Sequence, residues 1–193
     1  MNEISFTAGT GSILDIRVYP HINEEKNNIV YVTSSCGTLS IHEYLSKSTL
    51  TWKRKQAIQL GKRITAACSE NLIDTSLYSS FIATATMDSP LNTNARVQVH
   101  SISSSGISNV PICNFVTSRE KITALALSTV GTEALIAVGN EVSSYTISSL
   151  TRPDSPLFSS MNDGHGITDI QFWPYSHSTI VTTSYVFNVS NIF

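Results

Sequence analysis

The sequence predicts an all-β fold, and three observations lead to that prediction. Serine and threonine supply about a quarter of the 193 residues, a composition that favours strands and polar turns. The apolar segments are short, rich in Val, Ile, Thr and Tyr, and interrupted by Gly, Pro, Asn or Ser. No window of about 11 residues sustains the apolar spacing of a helix. We therefore expect antiparallel sheets built from short strands.

Internal repetition predicts how these strands are arranged. Four segments open on isoleucine and recur about 45 to 58 residues apart, a period close to that of propeller blades. The four openings are Ile13-Leu14-Asp15-Ile16, Ile64-Thr65-Ala66-Ala67, Ile122-Thr123-Ala124-Leu125 and Ile167-Thr168-Asp169-Ile170. We predict an all-β, partial β-propeller of about three and a half four-stranded antiparallel blades. It forms one domain over residues 1–193, with units at 1–61, 62–119, 120–163 and an incomplete 164–193.

The first unit shows four strands in order. Ile13 to Tyr19 alternates apolar and polar residues, which predicts a half-buried strand. Ile29 to Thr33 is a continuous β-branched run, typical of a strand buried on both faces. After a turn at Cys36-Gly37, Thr38 to His42 alternates again. Thr51 to Ile58 is the outer strand and carries most of the charge of the unit.

The second unit repeats this order. Phe81 to Ala85 is its buried strand, and Arg96 to His100 is the alternating partner of that strand. The segment between them, Met87 to Ala95, is predicted as a loop that is longer than a hairpin needs. Val110 to Val116 is predicted as the outer strand.

The third unit begins with Lys121 to Ser128, whose alternation predicts a strand although its composition also suits a helix. Ala134 to Val138 is the buried strand. Gly139-Asn140 can adopt the positive φ of a tight hairpin, which predicts the turn at that dipeptide. Val142 to Ile147 follows as the next strand, and a weak outer strand is expected near Leu157 to Ser160.

The fourth unit carries a resemblance to a known family. Gly164-His165 precedes the strand Ile167 to Phe172, and Trp173-Pro174 follows as a turn. Ile180 to Ser184 is then a strand of small and hydroxylated residues. This order resembles the opening of a WD repeat, and Gly37 to His42 is similar to the third strand of that family.

The resemblance covers the chain as a period and residues 163–184 closely. It implies a structural hydrogen bond from His165 to a hydroxyl group of Thr182, Thr183 or Ser184. The chain departs from the family pattern because it has no Trp-Asp dipeptide and has Gly-His only once.

The number of units raises the question of completeness. Propellers close with about four to eight blades, so the predicted ring is open. Glu3 to Thr7 is predicted as an outer strand of a final blade. Two explanations remain: a truncated product of a longer gene, or a half-ring that another chain completes. We favour truncation because adjacent repeats must stack to bury their faces.

Charge and cysteine content predict the compartment and exclude some partners. The formal net charge of −2 argues against a nucleic-acid binder and gives no attraction to anionic membranes. The N-terminal residues lack the basic and apolar regions of a secretory signal. Three widely spaced cysteines fit reduced thiols better than a disulfide framework. We therefore expect an intracellular protein of the cytoplasm or nucleus, with no membrane contact.

Motifs for catalysis, cofactors and metals are absent from the sequence, so we predict no catalytic, cofactor-binding or metal-binding residues. An alternative is a propeller-based enzyme with a site in its channel, for which Asp15 and Asp169 occupy equivalent positions. His42 and His100 occupy similar places on third strands, where a shared ligand site competes with ordinary packing. We favour ordinary packing.

A basic cluster is the best surface candidate for a binding site. One explanation is that the charges keep an edge strand from pairing with another chain. The other is that they bind an acidic partner. An aromatic side chain within the cluster could anchor a partner. The candidate partner-binding residues are Trp52, Lys53, Arg54, Lys55, Lys62 and Arg63.

Together these features predict a non-catalytic scaffold or adaptor module that binds other proteins. A truncated product without independent function is a further alternative.

Overall fold

The computed structural model describes most of the chain. It describes residues 11–19, 29–46, 51–60, 63–73, 78–89, 92–103, 106–117, 121–130, 133–142, 144–161, 165–173 and 176–184. The predicted strand from Glu3 to Thr7 and the candidate residue Lys62 lie outside these residues, as does the side chain of Trp52.

Blade 1 is a four-stranded antiparallel sheet whose strands are adjacent in sequence order. Its strands are β1 (Ile13–Tyr19), β2 (Ile29–Ser34), β3 (Thr38–Ser46) and β4 (Thr51–Gln59). Gly37 has φ of 92° in the turn between β2 and β3, a conformation that glycine adopts without steric cost. The turn at Cys36-Gly37 is therefore confirmed.

Blade 2 has a split outer edge. Its strands are β5 (Arg63–Ile73), β6 (Tyr78–Ser89), β7 (Asn92–Ser103), β8 (Gly106–Ile107) and β9 (Cys113–Val116). Both β8 and β9 pair with β7, and the amides of Ser108 and Ile112 still donate to it, so residues 109–111 leave the sheet between them. The predicted outer strand at Val110 to Val116 is therefore shorter than expected.

Blade 3 is again a four-stranded antiparallel sheet, and two strands of blade 4 are described. The strands of blade 3 are β10 (Ile122–Val130), β11 (Glu133–Asn140), β12 (Ser144–Ser149) and β13 (Phe158–Met161). Those of blade 4 are β14 (Ile167–Trp173) and β15 (Ser176–Ser184). The strand predicted for Lys121 to Ser128 is confirmed as β10.

The first strands of consecutive blades contact one another: β1 contacts β5, β5 contacts β10, and β10 contacts β14. These four inner strands place the sheets side by side around a shared channel, as in a propeller. The predicted fold class, an all-β partial propeller of about three and a half blades, is confirmed. The division into units at 1–61, 62–119, 120–163 and 164–193 stays a prediction.

The core lies between neighbouring blades, because alternate residues of each strand face opposite blades. Between blades 1 and 2 the buried apolar residues are Leu39, Ile41, Ile64, Ile82, Ile102 and Ile107. Between blades 2 and 3 the cluster includes Ala83, Ala85, Val97, Val99, Phe115, Leu125, Leu127, Ile136 and Val138. Between blades 3 and 4 it consists of Ala124, Ala126, Ala137, Ile167 and Ile170.

The turn predicted at Gly139-Asn140 is wrong. Both residues belong to β11, and the turn is formed by the next two residues. The Asn140 side chain caps this turn, since its Oδ1 accepts hydrogen bonds from the amides of Val142 (3.1 Å) and Ser144 (3.0 Å). Gly139 serves packing instead, because a Cβ at that position would lie 2.7 Å from Cγ2 of Ile167.

The long loop predicted between Met87 and Ala95 is also wrong. These two residues pair with each other, and pairing continues to Ser89 and Asn92. The sequence there contains Pro, Asn and Asp, which locally favour a loop. The extended hairpin shows that cross-strand pairing prevails over those local preferences.

Candidate interaction site

Each inner strand begins with the same irregularity. The pairing register shifts between the first and third residue of all four openings, so that one extra residue lies between them. Such a β-bulge redirects a side chain and bends the strand locally. The four extra residues are Leu14, Thr65, Thr123 and Thr168.

Threonine hydroxyl groups at three of these bulges bond to neighbouring strands. Thr65 Oγ1 donates to the carbonyl of Ala85 at 3.3 Å. Thr123 Oγ1 contacts the carbonyl of Ile167, which belongs to the next blade. Thr168 Oγ1 lies 2.8 Å from Oγ1 of Thr183. The hydroxyl groups therefore hold the start of β5, β10 and β14 in place, a role that the repeated Ile-Thr dipeptide could have suggested.

A cavity of about 180 Å³ lies where the four inner strands begin. All of its lining residues belong to the four inner strands. The lining residues are Leu14, Thr65, Ala66, Ala67, Thr123, Ala124, Leu125, Thr168 and Asp169. The cavity is lined by three threonine hydroxyl groups and one carboxylate.

The two equivalent aspartates have different partners. Asp15 Oδ2 accepts a hydrogen bond from Ser69 Oγ of blade 2 at 2.5 Å. Asp169 Oδ2 accepts from Gln171 Nε2 at 3.0 Å, and its Oδ1 accepts from the amide of Ile170. Asp15 thus joins two blades, whereas the Asp169 carboxylate bonds within its own strand.

The basic cluster is centred on the outer strand of blade 1. Lys53, Arg54 and Lys55 are all exposed on β4, and Arg63 is exposed at the start of β5. Within the sheet β4 pairs with β3 alone, so it is the edge strand of the described blade. Lys55 is the extra residue of a bulge, because Gln56 pairs with Ile41 while Arg54 pairs with the adjacent residue of β3. A bulge there turns consecutive basic side chains outward.

Gln56 fixes this strand to blade 2. Its Oε1 accepts a hydrogen bond from the amide of Ile107 at 2.8 Å, and its Nε2 donates to the carbonyl of Ile107 at 2.9 Å. Gly106 has φ of 131°, and a Cβ there would lie 2.1 Å from Gln56 Oε1. Sequence analysis missed Gln56, because partners 51 residues apart leave no local pattern.

His42 lies opposite Arg54 on the neighbouring strand and is buried. Its Nε2 lies 3.0 Å from Ser40 Oγ. Burial, and to a lesser extent the charge of Arg54, lower the pKa of His42 below its usual value. Both causes disfavour the protonated, positively charged form of this imidazole.

His100 is also buried but has a separate environment. Its Nδ1 lies 2.8 Å from the carbonyl oxygen of Ser108, and its Nε2 has no hydrogen-bond partner among the described residues. His42 and His100 are therefore held by different neighbours, as ordinary packing predicts. The described residues contain no group of three or more His, Cys, Asp or Glu side chains that could hold a metal ion.

The hydroxyl group of Thr183 lies next to Thr168, across β14 and β15. His165 is half-buried just before β14, and Thr182 and Ser184 are partly buried on β15. The hydrogen bond from His165 to one of these hydroxyl groups stays a prediction.

Two further findings concern the thiols and membranes. Cys36, Cys68 and Cys113 form no disulfide bond with one another, and burial, followed by the charge of Asp154, raises the pKa of Cys113. In the part of the chain that the structure describes, no helix has the length and apolar character needed to span a membrane.

Solved structures match this chain over most of its length. One chain of the ctPRC2 complex is 16% identical, with a TM-score of 0.63 over 88% of this chain. Sqt1 of Saccharomyces cerevisiae is 10% identical, with a TM-score of 0.59 over 81%. Raptor of Chaetomium thermophilum is 13% identical, with a TM-score of 0.55 over 89%. The match spans 34%, 42% and 15% of those three chains, respectively.

No protein-family model matches this chain, and no curated protein sequence does. The solved structures are WD-repeat and β-propeller proteins, and at these identities their likeness shows the fold alone. The chain thus has a WD-like β-propeller fold.

Proposed function

We propose that this chain is a non-catalytic protein-interaction platform that acts as a scaffold or adaptor in the cytoplasm or nucleus. The observation that carries the proposal is the exposed basic run Lys53-Arg54-Lys55 on β4. The Gln56 side chain fixes this edge strand to blade 2. A partner with an acidic surface therefore meets charges that are already held in position, which reduces the ordering that binding requires.

The geometry of the strand favours side-chain recognition of this partner. The bulge at Lys55 interrupts the regular ladder of β4, which disfavours the addition of a further backbone strand at that point. The ammonium and guanidinium groups remain accessible and steer an acidic partner electrostatically. The fold likeness supports a binding role in general, since the ctPRC2 structure was solved in complex with H3K27me3 and H3K27M.

Edge protection is the competing explanation of the same charges. Under that explanation, removal of the charges promotes self-association and leaves partner binding unchanged. Under our proposal, removal of the charges weakens binding to an acidic partner and makes that binding less dependent on salt.

The test compares two pairs of charge reversals in the full chain. Lys53→Glu with Lys55→Glu alters the basic run, and Lys121→Glu with Arg152→Glu alters two exposed basic residues elsewhere. Binding of a fluorescent polyglutamate peptide is measured by anisotropy at low and physiological salt. We expect the first pair to weaken binding at least about tenfold and the control pair less than about twofold. Equal effects of the two pairs, or no effect of the first, would contradict the proposal.

A further inference from the structure

One face of blade 4 points away from blade 3 and is exposed. Asp169 and Gln171 of β14 lie on it opposite Thr183 and Val181 of β15, and all four residues are exposed. Trp173 at the end of β14 is 49% exposed. The opposite face packs on blade 3 through Ile170, which is buried. Blade 4 therefore presents a mixed polar and apolar surface at one end of the row of blades.

The same polar pair occurs on blade 1, where it is covered. Asp15 follows the bulge of β1 and pairs with Thr33, just as Asp169 follows the bulge of β14 and pairs with Thr183. Thr33 is 1% exposed, whereas Thr183 is exposed. The two blades thus carry one aspartate–threonine pair at equivalent positions, and blade 2 stacks on the pair of blade 1.

Blade 2 meets the aspartate of blade 1 with a hydroxyl group. Ser69, the fifth residue after the opening Ile64 of β5, donates to Asp15 Oδ2. Hydrogen bonds from a hydroxyl group to a carboxylate are short and strong. The hydroxyl group at this position therefore complements the aspartate on the preceding blade.

The other two junctions use small apolar residues in place of this pair. The equivalent positions are Ala66 opposite Ala85 in blade 2, and Ala124 opposite Gly139 in blade 3. At the second of these positions the side chain of Ile167 fills the space above the glycine. The aspartate–threonine pair is therefore a distinct type of junction, and the exposed face of blade 4 belongs to that type.

We propose that the exposed face of blade 4 docks the inner strand of a further blade of different sequence, one that carries serine or threonine five residues after its opening apolar residue. The Asp169 carboxylate accepts the hydroxyl group as Asp15 accepts that of Ser69. Asp169 already accepts two bonds within β14, which orient it and leave lone pairs for a third donor. Val181 and Trp173 supply the apolar contact area. This inference rests on the proposed role as an interaction platform and names a second surface of it.

A second copy of this chain does not match that description. The fifth residue after the opening Ile13 of β1 is Val18, which has no hydroxyl group. Head-to-tail stacking of two copies would place Val18 where a donor to Asp169 is needed. The occupant is therefore a strand of different sequence.

The test adds such a strand to the full chain. A second copy of residues 62–119 is joined to the C-terminus through a flexible Gly/Ser linker, which supplies a high local concentration. The matched control joins residues 120–163, where Leu127 occupies the position of Ser69. Amide hydrogen exchange is then followed for residues 167–184.

We expect the appended 62–119 unit to slow amide exchange at residues 167–184 by at least about tenfold. One charge-assisted hydrogen bond changes an opening equilibrium by about that factor. Ser69→Ala in the appended unit, or Asp169→Asn in the chain, should each remove most of this protection, and the two together should remove no more. Unchanged exchange, or equal protection from both appended units, would overturn the proposal.

Light scattering of the unfused chain supplies an independent check. We expect the mass of the wild type and of Asp169→Asn to be that of a monomer. A dimer that Asp169→Asn dissociates would assign the face to a second copy and overturn the proposal. None of these measurements involves β4, so failure here leaves the polyglutamate test of the proposed function unaffected.

Discussion

The junction between blades 1 and 2 and the junction between blades 2 and 3 solve the same packing problem with different chemistry. The first junction has an apolar cluster and also inter-blade hydrogen bonds, in which Asp15 accepts from Ser69 and Gln56 bonds to the backbone of Ile107. The second is a large cluster of apolar side chains, among them Phe115 and Ile136. Both junctions stack sheets whose inner strands begin with the same bulge.

The difference shows which feature of the repeat is essential. The bulged opening and the alternation of faces recur in every blade, whereas the residues that join blades vary. Propeller stacking requires a flat apolar area at each junction, and polar bonds can replace part of that area when both partners are satisfied. Loss of apolar volume and loss of a bond partner should therefore affect the two junctions differently.

The largest expected effect comes from the apolar junction. Ile136→Ala removes a fully buried side chain between blades 2 and 3 and should lower the free energy of unfolding by about 3 kcal/mol. Ile16→Ala on blade 1, where the side chain is 57% exposed, is the matched control and should change it by less than about 0.5 kcal/mol. Chemical denaturation measures both. Similar effects of the two substitutions would contradict the stacking of blades 2 and 3.

The next effect tests the polar junction. Gln56→Ala leaves the amide and carbonyl of Ile107 without their partner, which should cost about 2 kcal/mol of unfolding free energy. Gln56→Glu keeps the acceptor for the amide but places a carboxylate against the carbonyl, so it should not restore stability. Denaturation curves of the two variants decide this. A Gln56→Ala variant as stable as the wild type would show that the amide bonds do not hold blades 1 and 2 together.

A smaller effect is expected from the Asp15–Ser69 hydrogen bond. A double-mutant cycle with Asp15→Asn and Ser69→Ala should give a coupling of about 1.5 kcal/mol, as for a charge-assisted bond. In the same chain Asp169→Asn should change stability by less than about 0.5 kcal/mol, because Asp169 is exposed. Zero coupling between Asp15 and Ser69 would contradict the distinction between the aspartate–threonine junction and the junctions formed by small apolar residues.

The smallest effect concerns pH and the outer part of blade 1. Folding lowers the pKa of His42, so the unfolded chain binds a proton at a pH where the folded chain does not. Acidification through the ordinary histidine range therefore lowers the free energy of unfolding, and stability returns as the pH rises. His42→Gln should lose less stability than the wild type between about pH 7.5 and about pH 5.5. Identical pH dependence in both proteins would show that His42 is not the group responsible.

The sequence allowed the strands and their order to be predicted, because period-two alternation and the Ile-led openings are local patterns. The inner strands β1, β5, β10 and β14 all begin at or next to the predicted isoleucine. The exposed basic residues of β4 were also recognisable from composition alone.

The remaining features depend on contacts distant in sequence. A glycine before asparagine suggests a turn. Position 139 instead needs a residue without a side chain, because Ile167 of the next blade packs against it. The split between β8 and β9 and the Gln56–Ile107 bonds are likewise set by a neighbouring blade. For strands buried on both faces, alternation does not tell which face meets which neighbour. The aspartates of the two aspartate–threonine pairs, Asp15 and Asp169, could be located from the sequence, but their role at a blade junction could not.

The central claim is that the four sheets stack in sequence order about one channel. Nuclear Overhauser contacts between methyl groups in a selectively labelled sample test it most directly. We predict contacts of Leu39 with Ile82, of Val97 with Ile136, and of the Gly139 α-protons with the methyl groups of Ile167. Direct contacts between the buried methyl groups of blades 1 and 3, with these three absent, would contradict it.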